Sequence, residues 1–202
     1  MKLLIASGVF GDIALLNKDI GFMGAQYALL AGNNGINHKS AAVSVPTYFV
    51  AGKYEEFGFI KEEEPLGRLN CKFIKEPFLI EGRVLVSGVS GTYSPLFYEE
   101  ESAPIKHMRK PDFFSIKGGT DIALIHNIPG QLAKSGSLDF HRDLFDMLDL
   151  KDIRYVFVGG YNFEKQTSFI YLDTTVVFLP SLNRGYAIID TLDWSCYFQN
   201  RI

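Results

Sequence analysis

Short, uninterrupted runs of Val, Ile, Leu, Phe and Tyr recur along the whole chain, and most stop next to Gly, Pro, Asn or Asp. Apolar runs without alternation are typical of strands that are covered on both faces. Nine such runs predict strands: Lys2–Ala6, Gln26–Ala31, Thr47–Ala51, Arg83–Ser87, Asp121–His126, Tyr155–Val158, Thr167–Leu172, Thr175–Leu179 and Tyr186–Asp190. The pattern indicates an α/β fold.

Polar clusters follow five of these runs directly. They are Gly8–Asp12, Gly32–Asn34, Gly52–Glu55, His126–Gly130 and Gly159–Asn162. In an α/β sheet, the loops at the carboxyl ends of the strands carry the ligand site. The spacing therefore predicts one functional site along these strand ends.

Helices are predicted less directly than strands. Phe140, Leu144, Phe145 and Leu148 share one face of a helix over Asp139–Leu150, with Ser137 as its N-cap. Apolar spacing suggests two further helices. They cover Asp12–Gly24 and Gly35–Val45.

The last third of the chain has strand spacing typical of hairpins. Asp173–Thr174 lies between two apolar runs as a turn, which predicts an antiparallel second sheet. The acidic stretch Glu55–Pro65 is interpreted as a solvated loop or the start of a helix.

Composition limits the class of protein. A chain of 202 residues with 47% hydrophobic residues suits a single globular domain over residues 1–202. A net charge of −3 provides no overall basic field for nucleic acid or an anionic membrane. The apolar run Leu3–Ser7 is too short for a signal peptide or a membrane span. Since Cys71 and Cys196 form no disulfide framework, a cytoplasmic location is expected.

Six segments, in order, resemble the motifs of the calcineurin-like metallophosphoesterase family. They are Ser7–Gly11, Leu29–Asn33, Pro46–Glu55, Asp121–His126 with Pro129, Gly159–Asn162 and Pro180–Asp190. The resemblance implies a two-sheet β-sandwich flanked by helices, in four layers ordered α/β/β/α. It also implies a centre of two metal ions that clamps a phosphate ester and activates a hydroxide.

The middle of the chain resembles one branch of that family more closely. Val84–Gly91 and the following loop Tyr93–Tyr98 are similar to the region before the fourth motif in RNA lariat debranching enzymes and their splicing-associated relatives. Some of those relatives lack metal ligands.

The chain departs from the family at nearly all of the metal and catalytic positions. Matched to the motifs, these positions hold Gly8, Phe10, Asn33, Lys53, Tyr54, His126, Gly160 and Asn162. Only His126 keeps a strong ligand, and a neutral Asn33 is a poor bridge between two dications. The departures predict no metal and no cofactor, and hence a non-catalytic binding or scaffold module.

Two of the departing residues carry specific expectations. The Lys53 ammonium either replaces the lost metal ion, paired with Asp12, Glu55 or Asn33, or points into solvent as most lysines do. Phe10 is expected to fill the former site with apolar volume.

Three alternatives remain open from the sequence. The first is a weak phosphoesterase or phosphodiesterase that works with a single ion such as Mn or Zn, or with no metal, and uses His126 as a general base together with Asp12, Asn33 or Glu55. In the second, the basic cluster Lys106–Lys110 and the aromatic residues of the Tyr93–Tyr98 loop bind single-stranded RNA. In the third, His126 is purely structural. A protein partner or nucleic acid is thus expected, and no membrane.

Overall fold

Two six-stranded sheets face each other in the computed structural model, which describes residues 1–100, 106–128, 130–132, 138–140, 142–160 and 165–201. The first sheet contains, in spatial order, Ser195–Asn200 (β14), Gly185–Asp190 (β13), Lys2–Ala6 (β1), Tyr27–Ala31 (β2), Thr47–Val50 (β3) and Cys71–Phe73 (β4). Strands β1 to β4 are parallel, whereas β13 and β14 are antiparallel to their neighbours.

The second sheet is also mixed. In spatial order it contains Thr167–Tyr171 (β11), Thr174–Phe178 (β12), Tyr155–Val158 (β10), Ile122–Ile125 (β7), Val84–Val89 (β6) and Phe78–Ile80 (β5). Its four inner strands are parallel, and only its two edge strands are antiparallel. The prediction of an antiparallel second sheet is wrong because β12 pairs in parallel with β10, while β13 and β14 join the first sheet. A separate hairpin joins Gly130–Leu132 (β8) to Leu138–Phe140 (β9).

Four short helices accompany the sheets: Ile13–Met23 (α1), Glu63–Arg68 (α2), Lys110–Phe114 (α3) and Arg142–Lys151 (α4), with a 3-10 turn at Phe59–Lys61. Helix α1 confirms a predicted helix, and the Asp12 carboxylate caps it by accepting a hydrogen bond from the N–H of Leu15. Helix α4 confirms most of the helix predicted over Asp139–Leu150. The predicted N-cap of that helix, Ser137, lies outside the described residues.

The predicted helix at Gly35–Val45 is wrong. The segment forms turns, because the Asn37 side chain accepts the N–H of Lys39 and donates to the carbonyl of Gly35. Such local side-chain bonds compete with helix formation.

Burial of both faces of the inner strands explains why their sequences are continuous apolar runs. Leu3 and Ile5 of β1 pack between the two sheets, against residues such as Leu124 and Phe157. Leu4, on the opposite face of β1, packs in a second cluster with α1 and α2. Helices α3 and α4 cover the outer face of the second sheet. The predicted four-layer α/β/β/α sandwich is confirmed.

The closing segment packs against the opening strand, as predicted. Strand β13 pairs with β1 in a register that joins Lys2 to Asp190, and Ser7 bridges to Ser181. None of the helices in the described ranges combines the length and apolarity needed to span a membrane.

Candidate functional site

The loops that follow β1, β2, β3, β7 and β10 meet at one pocket of about 530 Å³. Its lining consists of Phe10, Asn33, Gly35, Lys53, Tyr54, Thr92, His126 and Gly160. Each of the five polar clusters noted in the sequence contributes at least one of these residues. The structure therefore brings together six of the eight positions matched to the family's site.

The two remaining positions are placed differently. Gly8 does not line the pocket, and its Cα faces the closing segment, where an added Cβ would lie 2.9 Å from Cβ of Ser181. Asn162 lies outside the described residues.

The loop after β1 is fixed along the loop after β2 by backbone hydrogen bonds. The N–H groups of Gly8 and Phe10 donate to the carbonyls of Gly32 and Asn33, each at 3.0 Å. Phe10 has a φ of 50°, which turns its side chain outward, and 54% of the residue is exposed. Its ring meets the Tyr54 ring edge-on, with centroids 6.0 Å apart. The expectation that Phe10 fills the site is wrong, since the pocket stays open and Phe10 forms part of its rim.

Glu55 connects two of the loops from behind the pocket. Its carboxylate accepts hydrogen bonds from the N–H of Asn34 at 2.5 Å and from the N–H of Gly52 at 2.7 Å. Burial raises the pKa of Glu55, and these backbone donors act against that rise. Glu55 is 6% exposed, so the interpretation of its segment as a solvated loop is wrong at this residue.

His126 is a buried imidazole that spans the two sheets. It follows β7 in the second sheet, and its Nδ1 lies 3.5 Å from the carbonyl oxygen of Ala31 in the first. Burial lowers the pKa of His126 to about 4, so the ring is neutral at pH 7. A general base works best with a pKa near the working pH, which makes His126 poorly suited to that role.

Three glycines enclose the His126 ring. A Cβ atom would lie 2.2 Å from Nδ1 if added to Gly32, 2.5 Å from Cε1 if added to Gly52, and 2.7 Å from Cε1 if added to Gly160. These distances leave no space for a side chain. Gly160, which occupies the position of a family ligand, thus has a packing role here.

Lys53 does not replace a metal ion. Its backbone N–H donates to Oδ1 of Asn33 at 3.2 Å, while its ammonium lies 5.6 Å from the centre of the Tyr54 ring. The side chain is exposed, and within the described residues it forms no ion pair with Asp12 or Glu55. The solvent-facing alternative is therefore the one observed, because the carboxylates expected to attract Lys53 bond to backbone N–H groups instead.

Sequence reasoning missed two of the lining residues, Gly35 and Thr92, and the one with a polar side chain is Thr92. It follows Gly91, whose φ of 94° turns the chain from β6 into the pocket. Its Oγ1 is buried and has no hydrogen-bond partner in the described part of the chain. In the sequence, only its position directly after the Val84–Gly91 segment indicated that Thr92 could belong to the site.

The described residues do not fit a two-metal centre. Across the described ranges, no group of three or more His, Cys, Asp and Glu side chains is arranged to hold a metal ion. Of the described residues that line the pocket, His126 has the one imidazole and none has a carboxylate. The oxygens of Asp12 and Glu55, predicted as supporting polar groups, are engaged with the α1 N-terminus and with backbone N–H groups.

Several basic and aromatic residues of segments 93–100 and 106–110 have partners within the protein. Tyr98 is buried against Tyr93, with ring centroids 5.1 Å apart, and Phe97 packs on His107 at 4.5 Å. Lys110 lies 3.3 Å from both Glu99 and Asp143. These contacts leave fewer rings and charges free for RNA than the sequence predicted.

A second cavity of about 430 Å³ lies beside β4 and α2, away from the strand-end loops. A salt bridge between Lys75 and Glu63, 2.8 Å long, joins two of its lining residues. Burial raises the pKa of its Cys71 thiol to about 12, so this thiol is not a nucleophile at pH 7.

The same fold occurs in solved structures of other proteins, although no protein-family model and no curated protein matches the sequence. The protein TT1561 of Thermus thermophilus is 18% identical, with a TM-score of 0.67 over 98% of each chain. A protein described as a novel archaeal phosphodiesterase is 11% identical, with a TM-score of 0.57 over 100% of both chains. GAP50, described as the anchor in the inner membrane complex of Plasmodium, is 8% identical, with a TM-score of 0.54 over 99% of this chain and 88% of that one. At these identities the likeness shows the fold, which is metallophosphoesterase-like.

Proposed function

We propose that this protein is a binding module on a metallophosphoesterase-like fold and that it does not carry out two-metal hydrolysis. The observation that carries the proposal is the lining of the strand-end pocket, where Phe10, Asn33 and Lys53 stand at positions that the resemblance assigns to metal ligands. A phenyl ring, a neutral amide and an ammonium supply no anionic oxygen for a divalent ion.

The packing of the site supports the same proposal. His126 is held by three glycines and lies 98% buried, with its pKa lowered to about 4. A single neutral imidazole is one ligand, and a catalytic zinc site normally uses three protein ligands. The pocket itself remains open, which suits binding of a ligand or of a partner's side chain.

A one-metal phosphoesterase and a single-stranded RNA binder are the alternatives that experiment must separate from this proposal. The first requires further ligands beside His126. The second takes support from the sequence resemblance to lariat debranching enzymes, but the pairing of Lys110 and the packing of Tyr98 count against it.

The test is metal content together with hydrolysis. Protein expressed in medium supplemented with Mn²⁺ and Zn²⁺ is expected to contain less than one metal ion per chain by mass spectrometry. It should not hydrolyse bis(4-nitrophenyl) phosphate. Its melting temperature should not change with added Mn²⁺ or Zn²⁺, whereas a ligand at a hundred times its Kd stabilises a protein by about 2.7 kcal/mol.

The contrary result is equally clear. Two tightly bound ions, or a turnover that His126→Ala abolishes, would overturn the proposal. Lys53→Asn serves as the reversion control. It is expected to restore no activity, because the other ligand positions remain changed.

A further inference from the structure

We infer that the strand-end pocket binds a small aromatic carboxylate without a metal ion, with the ring against Phe10 and Tyr54 and the carboxylate among the donors of Lys53, Asn33 and Thr92. This inference rests on the proposed function, because it requires the pocket to act as a binding site. It names the class of ligand that the pocket would take.

The charge of the lining sets the charge of the ligand. Among the described residues that line the pocket, Lys53 alone carries a full charge at pH 7, and none is Asp or Glu. The chain as a whole has a net charge of −3, so this pocket is a local cationic site on an acidic protein. One ammonium matches one carboxylate, whereas a phosphate monoester carries nearly two negative charges and is usually met by several cations or by a metal.

One buried hydroxyl of the pocket lacks a hydrogen-bond partner in the described part of the chain, and two further polar side chains lie beside it. Oγ1 of Thr92 is buried without a hydrogen-bond partner. Oδ1 of Asn33 accepts the N–H of Lys53, which fixes the amide orientation and leaves the Asn33 NH₂ group as a donor. His126 is 2% exposed and nevertheless lines the pocket. Buried polar groups are normally satisfied, so the Thr92 hydroxyl calls for an external partner, and an acceptor there can also take a hydrogen bond from the Asn33 NH₂ group.

Two aromatic rings form the apolar part of the pocket. Phe10 and Tyr54 are 54% and 62% exposed, and their planes meet at 63°. Phe10 also keeps a φ of 50°, which bulky residues rarely adopt. Backbone strain at an exposed ring inside a pocket is typical of a functional site. The corner between the rings suits a flat apolar group, which can stack on one ring while its edge meets the other.

Calorimetric titration of the full chain tests the inference. The probes are benzoate and 2-naphthoate as carboxylates, 2-naphthol as the uncharged ring, and 2-naphthyl phosphate as the other anion. We expect a carboxylate to bind more tightly than 2-naphthol and 2-naphthyl phosphate. Lys53→Met is expected to weaken 2-naphthoate binding about fivefold, as is typical of one partly exposed charge pair. Thr92→Val should weaken it by a similar factor.

Lys72→Met is the matched control, because Lys72 is an exposed lysine on β4 and lines the other cavity. It should bind 2-naphthoate as the wild type does. The inference is overturned if neither carboxylate binds, if 2-naphthol or 2-naphthyl phosphate binds more tightly, or if Lys53→Met and Lys72→Met have equal effects. Release of 2-naphthol from the phosphate ester, seen by its fluorescence, would instead overturn the proposed function. Failure of carboxylate binding without such release overturns the ligand class alone.

Discussion

Nδ1 of His126 lies 3.5 Å from the carbonyl oxygen of Ala31, so the imidazole that follows β7 in one sheet reaches the end of β2 in the other. The contact crosses the interface between the two sheets at the floor of the pocket. Since His126 is 2% exposed, its protonation is coupled to the packing of both sheets.

The first prediction concerns stability at acid pH. The pKa of His126 falls from 6.5 to about 4 on folding, so between these values the unfolded chain binds more protons than the folded one. Stability from His126 is therefore complete above pH 6.5 and is lost as the pH falls towards 4. The loss is about 3 kcal/mol in total. Urea unfolding of the wild type and of His126→Phe, followed from pH 7 to pH 4, measures it as a difference between the two proteins.

The two proteins have to be compared because the titration of Glu55 changes stability with pH in the opposite direction from that of His126. Its pKa is raised on folding, so it adds stability as the pH falls through its folded pKa. His38→Gln provides the control, since His38 is an exposed side chain. If the wild type and His126→Phe lose stability in parallel, the lowered pKa of His126 is wrong.

The second prediction concerns the glycines around the ring. Gly52→Ala would place a Cβ 2.5 Å from Cε1 of His126 and 2.7 Å from the backbone nitrogen of Asn33. Overpacking of this kind costs about 1–3 kcal/mol. Gly58→Ala is the matched control, because nothing lies within 4 Å of its Cβ position. Chemical denaturation of both variants should show the loss only for Gly52→Ala, and equal losses would refute the close packing.

The third prediction concerns the carboxylate behind the pocket. Glu55→Gln replaces one acceptor oxygen with an NH₂ group that faces a backbone N–H, and a buried donor left without an acceptor costs about 1–3 kcal/mol. We expect a loss of about 2 kcal/mol in unfolding free energy. Glu56→Gln, at the neighbouring exposed position, should change stability by less than about 0.5 kcal/mol. A Glu55→Gln variant as stable as Glu56→Gln would show that the two backbone contacts are not important.

The sequence was sufficient to predict the inner strands of both sheets and one edge strand, β11. All nine predicted strands exist, with ends within two residues of those observed. The strands it missed are edge strands or lie outside the main sheets. Strands β4 and β5 have three residues each and pair on one side only, and β14 is largely exposed. One-sided pairing and partial exposure do not produce a continuous apolar run.

The sequence predicted which loops form the site, but it did not predict how their side chains are oriented. Parallel strands bring their carboxyl ends together within each sheet, and the packing of the two sheets face to face brings the loops after β1, β2 and β3 to those after β7 and β10. The orientation of Phe10 depends on its φ of 50°, and that of Lys53 on a backbone bond to Asn33. Neither is visible in residue types or spacing, which is why the expectation for Phe10 was wrong and that for Lys53 stayed open.

The last prediction separates the backbone strain at Phe10 from the loss of its ring. Phe10→Gly and Phe10→Val both remove the contact with Tyr54, but only glycine adopts a φ of 50° freely. The left-handed region costs an L-residue about 1–2 kcal/mol, and a β-branched side chain is especially unfavourable there. Glycine in turn has a more flexible unfolded state, which offsets about 0.5–1 kcal/mol of that gain. We therefore expect Phe10→Gly to be more stable than Phe10→Val by about 1 kcal/mol in urea unfolding. Equal stabilities would mean that the backbone at Phe10 is not strained. Strain would then no longer support a binding role for the exposed Phe10 ring.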